Sequence, residues 1–200
     1  YGLLEIAQDS TDLDEIQMLL ARSQASARRM NDEIENWLTH AVARDGELQL
    51  QPLDLAPIIE ELQHTYPSAK IEDKLTLKPL GDAVLIRQVV VNLVSNAVKY
   101  APKGESPDIV VATAADLEPS MVRIEVRDQG TPLPPSEWVR IFEPYSRGAG
   151  AGLQASGTGM GLATCKRIVE RHGGQISVTP NRDSAGVPIG NTFVFTLPVA

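Results

Sequence analysis

The sequence predicts an α/β domain over residues 46–200, preceded by an antiparallel helical hairpin over residues 1–45. In the first part, apolar residues recur every three or four positions, which is typical of helices. In the second part, short stretches of alternating polar and apolar residues lie between helical patterns, which indicates strands and helices in one domain. A polar break, Arg44-Asp45-Gly46, separates the two parts. A chain of 200 residues can bury one well-packed core and carry such an appendage.

The hairpin would combine the end of a first helix, residues 1–8, with a long second helix. The short polar connection at residues 9–11 favours antiparallel packing of the two helices. Because such a pair buries a single seam, two copies could complete a core by dimerising into a four-helix bundle. A surface helix that packs on its own domain is the alternative. The apolar stripe of the second helix comprises Leu13, Ile16, Leu20, Ala27, Met30, Ile34, Trp37, Leu38 and Ala41.

The α/β domain is predicted to combine strands and helices from residue 47 onward. Strand patterns cover residues 47–53, 70–80, 109–114, 121–127, 175–179 and 191–198. Helical patterns cover residues 54–62, 137–142 and 161–172, and a further helix lies between Asp82 and Pro102. Asp54 and Asp82 are the expected N-caps. Residues 145–157 are rich in Gly, Ala and Ser, which predicts a mobile loop.

The composition argues against several classes of protein. A net charge of −8 gives no basic surplus with which to displace counterions, which argues against a general nucleic-acid binder. The single cysteine, Cys165, cannot form an internal disulfide and suits a reducing, cytoplasmic compartment. No apolar run approaches the roughly 20 residues that cross a bilayer, and there is no signal-peptide pattern. Because the chain begins at Tyr1 inside a helical pattern, we expect a fragment of a longer protein.

The most informative stretch is residues 88–102, QVVVNLVSNAVKYAP. Its polar members lie at spacings of four, three and one, which places them on one face of a helix. These residues are Asn92, Asn96, Lys99 and Tyr100. A carboxamide oxygen is a suitable ligand for Mg²⁺, an ammonium neutralises phosphate oxygens, and an aromatic face stacks on a base. This face therefore fits a magnesium nucleotide. The alternative is an amphipathic helix whose asparagines merely face solvent.

This stretch resembles the N box of sensor histidine kinases, N-L-x-x-N-A-x-K-Y. The resemblance implies that Asn92 and Asn96 bind Mg²⁺. It also implies that Lys99 binds the phosphates of ATP and that Tyr100 contacts the adenine. Related ATPases of the gyrase, Hsp90 and MutL type carry a Glu at the position of Asn92, where it can activate water. Asn92 therefore favours the kinase branch, since a neutral histidine acceptor already has a lone pair.

Asp128-Gln129-Gly130 follows a strand pattern and resembles the G1 box of the same family, D-x-G-x-G. A carboxylate at a strand end can accept the exocyclic amine of adenine, and Gly130 lets the backbone approach the base closely. The resemblance assigns the reading of adenine to Asp128. Pro132 departs from the family at the second glycine, and proline fixes φ and removes an N–H. We therefore expect this loop to close differently and to lose any backbone contact there.

Residues 141–147, IFEPYSR, resemble the F box of the family. The resemblance implies that Phe142 and Tyr145 anchor a lid and that Arg147 reaches the phosphates. The alternative for Phe142 is core packing, and we expect it to coexist with the anchoring role. The alternative for Arg147 is a solvated loop charge.

Residues 157–162 resemble the G2 box, G-x-G-x-G-L, in which glycines and a helix N-terminus present N–H groups to phosphate. The implied nucleotide-binding residues are Gly157, Thr158, Gly159, Met160, Gly161 and Leu162. A Rossmann fingerprint would lie early, after the first strand, with an acidic residue about 20 positions later, so that interpretation fails. Residues 190–192 resemble the final G-x-T element, which adds Thr192 to the implied contacts.

Together these motifs cover nearly the whole chain. The resemblance implies a Bergerat-type ATP-binding fold, a two-layer α/β sandwich with helices on one face of a mixed sheet, preceded by part of the dimerisation and phosphotransfer helices. It implies ATP and Mg²⁺ as cofactors and transfer of the γ-phosphoryl group to a histidine. It also implies a response-regulator receiver domain as partner and a homodimer through the N-terminal helices, with no nucleic-acid or membrane contact by this fragment.

The acceptor histidine of the family is absent from this sequence. His40, His64 and His172 all lack the acceptor motif, H-E/D-L-R-x-P-L. By family spacing, Tyr1 falls roughly one to two helical turns past the expected histidine, so we expect the fragment to begin just after it. A degenerate kinase that serves as a non-catalytic scaffold is the alternative. A hydrolytic ATPase is a third hypothesis, which Asn92 disfavours.

Overall fold

The computed structural model describes residues 18–20, 23, 47–102, 104–146 and 159–200. Residues 18–20 and 23 are helical. The rest of the predicted hairpin over residues 1–45 lies outside the described residues, so the dimerisation helices stay a prediction. Within the described ranges, no helix combines the length and the apolar character that crossing a membrane requires.

Seven strands, three α-helices and two 3₁₀ turns make up the described region from residue 50 onward. The strands are β1 (Leu50–Pro52), β2 (Lys70–Lys74), β3 (Leu80–Asp82), β4 (Asp108–Ala115), β5 (Met121–Arg127), β6 (Ile176–Arg182) and β7 (Pro188–Pro198). The helices are α1 (Ala56–Thr65), α2 (Ala83–Lys99) and α3 (Gly161–Arg171). Two 3₁₀ turns, Pro135–Glu137 and Arg140–Phe142, lie between β5 and α3.

A mixed sheet forms one layer of the domain. Its five strands are ordered β2-β4-β5-β7-β6, and β1 pairs separately with β3. β2 runs parallel to β4, and the other neighbours in the large sheet are antiparallel. Alternate residues along a strand share a face, and those of β4, β5 and β7 join helical side chains in one buried core. α1 contacts β2, α2 contacts β4 and β5, and α3 contacts β6 and β7. These contacts confirm the predicted two-layer sandwich.

Asp82 begins α2 as the sequence predicts. Its Oδ1 accepts hydrogen bonds from the N–H groups of Val84 and Leu85 at 3.1 and 3.2 Å. Its Oδ2 accepts from the N–H of Gln49 at 3.2 Å, which ties the start of the domain to the same helix end. α2 buries an apolar face, and Tyr100 is its C-cap. The buried residues are Leu85, Ile86, Val89, Val90, Leu93, Val94 and Ala97.

Several element boundaries differ from the sequence prediction, and three of the differences have a local cause. α1 begins later than expected, with Leu55 as its N-cap, because the Asp54 carboxylate accepts from the N–H of Ala56 in a local turn. The first strand is limited to β1 because only those residues pair with β3. The helix predicted over residues 137–142 is replaced by the two 3₁₀ turns, the first of which starts at Pro135.

His172 joins the ends of α2 and α3 that lie away from the glycine motifs. This buried residue is the C-cap of α3. Its Nε2 accepts from the N–H of Asp82 at 3.0 Å, and its Nδ1 lies 2.7 Å from the carbonyl oxygen of Ile168. A neutral ring with its proton on Nδ1 satisfies both contacts. His172 is therefore a buried residue at the end of a helix, with both ring nitrogens engaged.

Candidate nucleotide-binding site

Asp128 lies at the end of β5 and is almost completely buried. Its Oδ1 accepts three hydrogen bonds, from the N–H of Gly130 at 2.8 Å, the N–H of Asn191 at 3.0 Å and Nδ2 of Asn191 at 3.2 Å. Oδ2 has no hydrogen-bond partner among the described residues. One oxygen is therefore held by the protein, and the other can accept a donor from a ligand.

Burial raises the pKa of Asp128 above its usual value of 3.8, while the hydrogen bonds from Gly130 and Asn191 oppose that rise. Burial disfavours the charged form because the carboxylate loses its hydration. Oδ2 keeps some access to solvent, so water or a donor on a ligand can reach it. This is the environment expected of a residue that reads a polar group of a base.

Two glycines let the chain approach Asp128 closely. A Cβ added at Gly130 would lie 2.9 Å from the carbonyl oxygen of Tyr100 and 3.1 Å from Asp128 Oδ1. A Cβ added at Gly190 would lie 2.0 Å from the carbonyl oxygen of Asp128. The first contact also joins the C-terminal end of α2 to the G1 loop. The structure thus brings Tyr100, Asp128 and Gly130 together, as the sequence predicts.

The loop that carries Pro132 is held by Asn191. Asn191 Nδ2 donates to the carbonyl oxygen of Thr131 at 3.1 Å, and its Oδ1 accepts from the N–H of Leu133 at 2.8 Å. Trp138 Nε1 also donates to the carbonyl oxygen of Leu133 at 3.0 Å. The exposed Pro132 lies between these contacts. The loop is therefore anchored on both sides of the proline, through a side chain rather than through the missing N–H.

Asn191 is the residue of this site that the motif analysis did not assign. The sequence feature that could have indicated Asn191 is its position in the G-x-T element, but that element assigns the nucleotide contact to Thr192. Side chains alternate along a strand, so Asn191 shares a face of β7 with the core residue Phe193, while Thr192 lies on the other face. The geometry favours Asn191 over Thr192 as the residue that shapes the Asp128 pocket.

The polar face of α2 spans the distance from the base pocket to α3. Asn92 and Asn96 are half-buried, and Lys99 and Tyr100 are exposed at the helix end. Lys99 Nζ lies 5.1 Å from the centroid of the Tyr100 ring, within the range of a cation–π contact. Eight residues separate Asn92 from Tyr100, which is about 12 Å along a helix that rises about 1.5 Å per residue.

Asn92 faces the first residue of α3. A Cβ added at Gly161 would lie 3.6 Å from Asn92 Oδ1. Asn92 Nδ2 is buried and has no hydrogen-bond partner among the described residues. The Asn92 side chain also interacts with the buried thiol of Cys165 on α3, so Nδ2 lies in the interior between the two helices. Burial raises the pKa of the Cys165 thiol to about 12, so this thiol is unreactive.

α3 presents an uncapped N-terminus at this junction. Its N-cap is the buried Met160, and no side chain caps the helix there. The first N–H groups of a helix lack partners within the helix and favour anions, because the helix dipole is positive at that end. Leu162 is half-buried and packs against the hydrophobic core. Gly161 is the first residue of the helix, and its phosphate-binding role stays a prediction.

The two ends of the segment between the F box and α3 meet in the structure. The N–H of Tyr145 donates to the carbonyl oxygen of Gly159 at 3.1 Å, and both residues have positive φ, 62° and 72°. A Cβ at Gly159 would lie 2.9 Å from the carbonyl oxygen of Ser146. We call this contact of residues 145, 146 and 159 the loop stem. The predicted contacts of Arg147, Gly157 and Thr158, and the loop predicted beyond residue 146, lie outside the described residues.

Phe142 and Tyr145 have different environments. Phe142 is buried and meets Phe193 edge to face, with ring centroids 6.5 Å apart. Tyr145 is 70% exposed. The core-packing alternative for Phe142 is therefore confirmed, and its anchoring of a lid stays a prediction. Tyr145 anchors the loop stem through its backbone, with its ring turned to the surface.

The donor set fits Mg²⁺ only in company with a ligand. The described ranges contain no cluster of three or more His, Cys, Asp and Glu side chains that could hold a metal ion. Asn92 and Asn96 offer carboxamide oxygens on one helix face. Mg²⁺ is commonly held by one or two protein oxygens together with substrate phosphates and water. These residues therefore fit a magnesium ion that arrives with a phosphorylated ligand.

The Asp128 pocket, the polar face of α2 and the start of α3 together form one candidate site for a phosphorylated ligand that carries a base. Residues 81–200 match the family described as histidine kinase-, DNA gyrase B-, and HSP90-like ATPase. This match covers more than half of the chain, and the chain belongs to that family.

Relatives named as two-component proteins and sensory kinases resemble this chain. "Two-component system protein A" of Emericella nidulans is 39% identical over 131 residues, 64% of this chain and 18% of that protein. The "adaptive-response sensory kinase SasA" of Synechocystis sp. is 30% identical over 192 residues, 90% of this chain and 48% of that protein. The solved "Mycobacterial sensor histidine kinase MprB" is 26% identical with a TM-score of 0.63, and the match covers 75% of this chain and 97% of that one. The chain spans about half the length of the curated relatives or less.

Proposed function

We propose that the chain is the catalytic region of a sensor histidine kinase, which binds Mg-ATP and transfers its γ-phosphoryl group to a histidine. The acceptor would lie on a dimerisation helix of the parent protein. The phosphoryl group would then pass to the receiver domain of a response regulator. The parent would act in the cytoplasm as a homodimer through its N-terminal helices. Family membership and the names of the relatives support this proposal.

One observation carries the nucleotide-binding part of the proposal. Asp128 is buried with one oxygen held by three donors and the other left for a ligand. The exocyclic amine of adenine is a donor of the right kind for that oxygen. Gly130 packs against the carbonyl oxygen of Tyr100, which sets the exposed Tyr100 beside the G1 loop at this end of α2.

The phosphates would lie along the polar face, between Lys99 near the base pocket and Asn92 near α3. Asn92 and Asn96 would supply oxygens to Mg²⁺, and Lys99 would supply positive charge. When bound, the metal ion neutralises charge on the phosphate oxygens. The N–H groups at the start of α3 would hold the phosphates in line with the acceptor. Phosphoryl transfer depends chiefly on such positioning and charge neutralisation, so this site needs no carboxylate base at position 92.

Thermal unfolding with and without Mg-ATP tests the binding site. At a ligand concentration near 100 times Kd, we expect the melting temperature of the chain to rise by about 5–10 °C, because the ligand binds only the native state. Asp128→Asn replaces the free acceptor with a donor and should abolish the rise. The matched control is Asp73→Asn, an exposed aspartate on the edge strand β2, which should keep it. A rise that survives in Asp128→Asn would contradict the assigned adenine contact.

The kinase activity needs a separate experiment because the acceptor lies outside this sequence. A helical segment that carries the acceptor motif is added in trans, and transfer of labelled phosphate from ATP is followed. Normal ATP binding without transfer would remove the kinase claim for this chain. It would favour a scaffold. The Asn191 contacts around Pro132 weaken one argument for that alternative, since the loop is anchored despite the proline.

Hydrolysis of ATP is the third function to test. The structure offers Asn92 where a hydrolase of this family would need a general base. We expect negligible steady hydrolysis. A measurable rate that disappears in Asn96→Ala would revive the hydrolase hypothesis.

A further inference from the structure

Asn191 forms several hydrogen bonds around the Asp128 pocket, although none of the sequence motifs assigns it a role. Its side chain and backbone reach the Asp128 carboxylate, and its side chain also holds both neighbours of Pro132. The Asp128 N–H in turn donates to the carbonyl oxygen of Asn191 at 2.8 Å. Both carboxamide atoms of this buried residue are therefore engaged.

These contacts make the two oxygens of Asp128 unequal. All three donors that the described residues supply to the carboxylate point at Oδ1, so its rotation would break hydrogen bonds at a buried site, where broken bonds are costly. Oδ2 is consequently presented in one direction. Removing the Asn191 side chain would leave the two backbone donors to Oδ1 but would release Thr131, Leu133 and one of the three donors.

We propose that Asn191 is a positioning residue that fixes the Asp128 carboxylate and the adjoining loop, so that the pocket accepts an amino-purine and rejects an oxo-purine. The proposal rests on the nucleotide-binding function proposed above. An amine at C6 of the purine donates to Oδ2. A carbonyl oxygen at that position places a second acceptor against the carboxylate, which leaves both without a donor. Discrimination therefore requires a carboxylate that cannot turn away.

The charged state of Asp128 also depends on Asn191. The hydrogen bonds from Asn191 lower the pKa of Asp128 against the effect of burial. Two charged side chains adjoin pocket residues along the chain. Lys99 on α2 precedes Tyr100, and Arg127 on β5 precedes Asp128. In the described part of the chain, neither forms a hydrogen bond or ion pair with Asp128; Arg127 pairs with Glu125. Loss of the Asn191 amide should thus raise the pKa of Asp128 further.

Binding of ADP and of inosine diphosphate, which has a carbonyl in place of the amine, tests the proposal. Titration calorimetry on the chain should show ADP binding at least about ten-fold tighter than inosine diphosphate, as expected for a hydrogen bond to a charged group. In Asn191→Ala, we expect that ratio to fall by roughly ten-fold, mainly through weaker ADP binding. The pH below which ADP binding weakens should also move upward.

Two further variants keep the test decisive. Asn191→Asp keeps the size of the side chain and the acceptor for Leu133 but sets a second carboxylate beside Asp128, so the upward shift in pH should be larger. Asn181→Ala removes the hydrogen bond from Asn181 Nδ2 to the carbonyl oxygen of Asp128, 2.8 Å long, and leaves the carboxylate contacts in place. This matched control should keep the ratio of the wild-type chain.

The outcomes separate this inference from the proposed function. A wild-type chain that binds neither nucleotide overturns both. A wild-type preference for ADP that persists unchanged in Asn191→Ala and Asn191→Asp overturns the role of Asn191 alone. Equal weakening of both nucleotides, with an unchanged pH profile, also overturns it, because that result would show a purely structural contribution.

Discussion

Asp128 carries a stability cost in the ligand-free domain that depends on pH. Its native pKa is raised by burial above the usual 3.8, so the native state binds a proton more tightly than the unfolded chain does. Stability linked to this group is present below the unfolded pKa and is lost as pH rises through the raised native pKa. A ligand that donates to Oδ2 would offset this cost. Function and stability thus make opposite demands on one carboxylate.

The corresponding prediction uses Asp128→Asn without nucleotide. Because asparagine does not titrate, the stability of the wild-type chain relative to this variant should fall as pH rises from about 3.8 toward neutrality. Denaturant unfolding at a series of pH values measures the difference. Asp73→Asn, exposed on β2, should show no comparable trend. A difference that is constant with pH would contradict the assigned burial of the charge.

Gly190 is required by the close approach of β7 to Asp128. An alanine Cβ would lie 2.0 Å from the Asp128 carbonyl oxygen, so the backbone must move. We expect Gly190→Ala to lower the free energy of unfolding by about 2–3 kcal/mol, at the upper end of the cost of overpacking. Gly161→Ala is the control, since its Cβ meets Asn92 at an ordinary contact distance of 3.6 Å. Chemical denaturation compares the two, and equal effects would argue against this explanation.

Residue chemistry made Asp128, Gly130 and the α2 face predictable from the sequence, because each lies in a local pattern with a known spacing. Asn191 was not predictable in the same way. It meets Asp128 across 63 positions of the chain, and only the pairing of β5 with β7 brings them together. The anchoring of the Pro132 loop was missed for the same reason.

At the scale of elements, the N-cap of α2 can be tested directly by mutation. Asp82 accepts from two N–H groups of the first turn and from Gln49. We expect Asp82→Ala to destabilise the domain by about 1–2 kcal/mol, the usual cost of losing an N-cap. Asp54→Ala removes a single exposed turn contact with Ala56 and should cost clearly less. Thermal unfolding of both variants measures the contrast, and a larger effect at Asp54 would contradict the assigned caps.

Long elements were predicted well and short ones poorly. α2 was visible because its apolar period runs over many residues and its cap and end signals agree. The two 3₁₀ turns gave a helical pattern too short to distinguish from an α-helix. β1 was overestimated because alternation continues beyond the three residues that find a partner on β3.

At the scale of the molecule, the α/β domain holds its own core. The buried cluster starts at Leu53 and includes residues of all three helices and of the large sheet, with Leu48 packed against its edge. We therefore expect a chain of residues 47–200 to unfold cooperatively and to keep its affinity for ADP within about two-fold, as removal of distant groups usually allows. Calorimetry on the truncated chain measures both properties. Loss of the cooperative transition would show that the preceding residues complete the core.

The fold class was predictable at this scale because the motifs occur in a fixed order, and the comparison with known proteins confirms the family. The order of the strands was not predictable. The parallel pairing of β2 with β4, and the position of β7 between β5 and β6, depend on contacts between segments far apart in the chain. No local pattern contains that information.

The loop stem affects how strongly the stability of the domain depends on the number of residues between its two ends. Once residues 145 and 159 are joined, the entropy of the intervening chain varies only with the logarithm of its length. Doubling the number of residues costs only about 0.6 kcal/mol. For a flexible chain closed at such a stem, insertions and deletions would therefore change the stability of the domain little. The number of residues between the two ends can then vary while the sheet and helices stay the same.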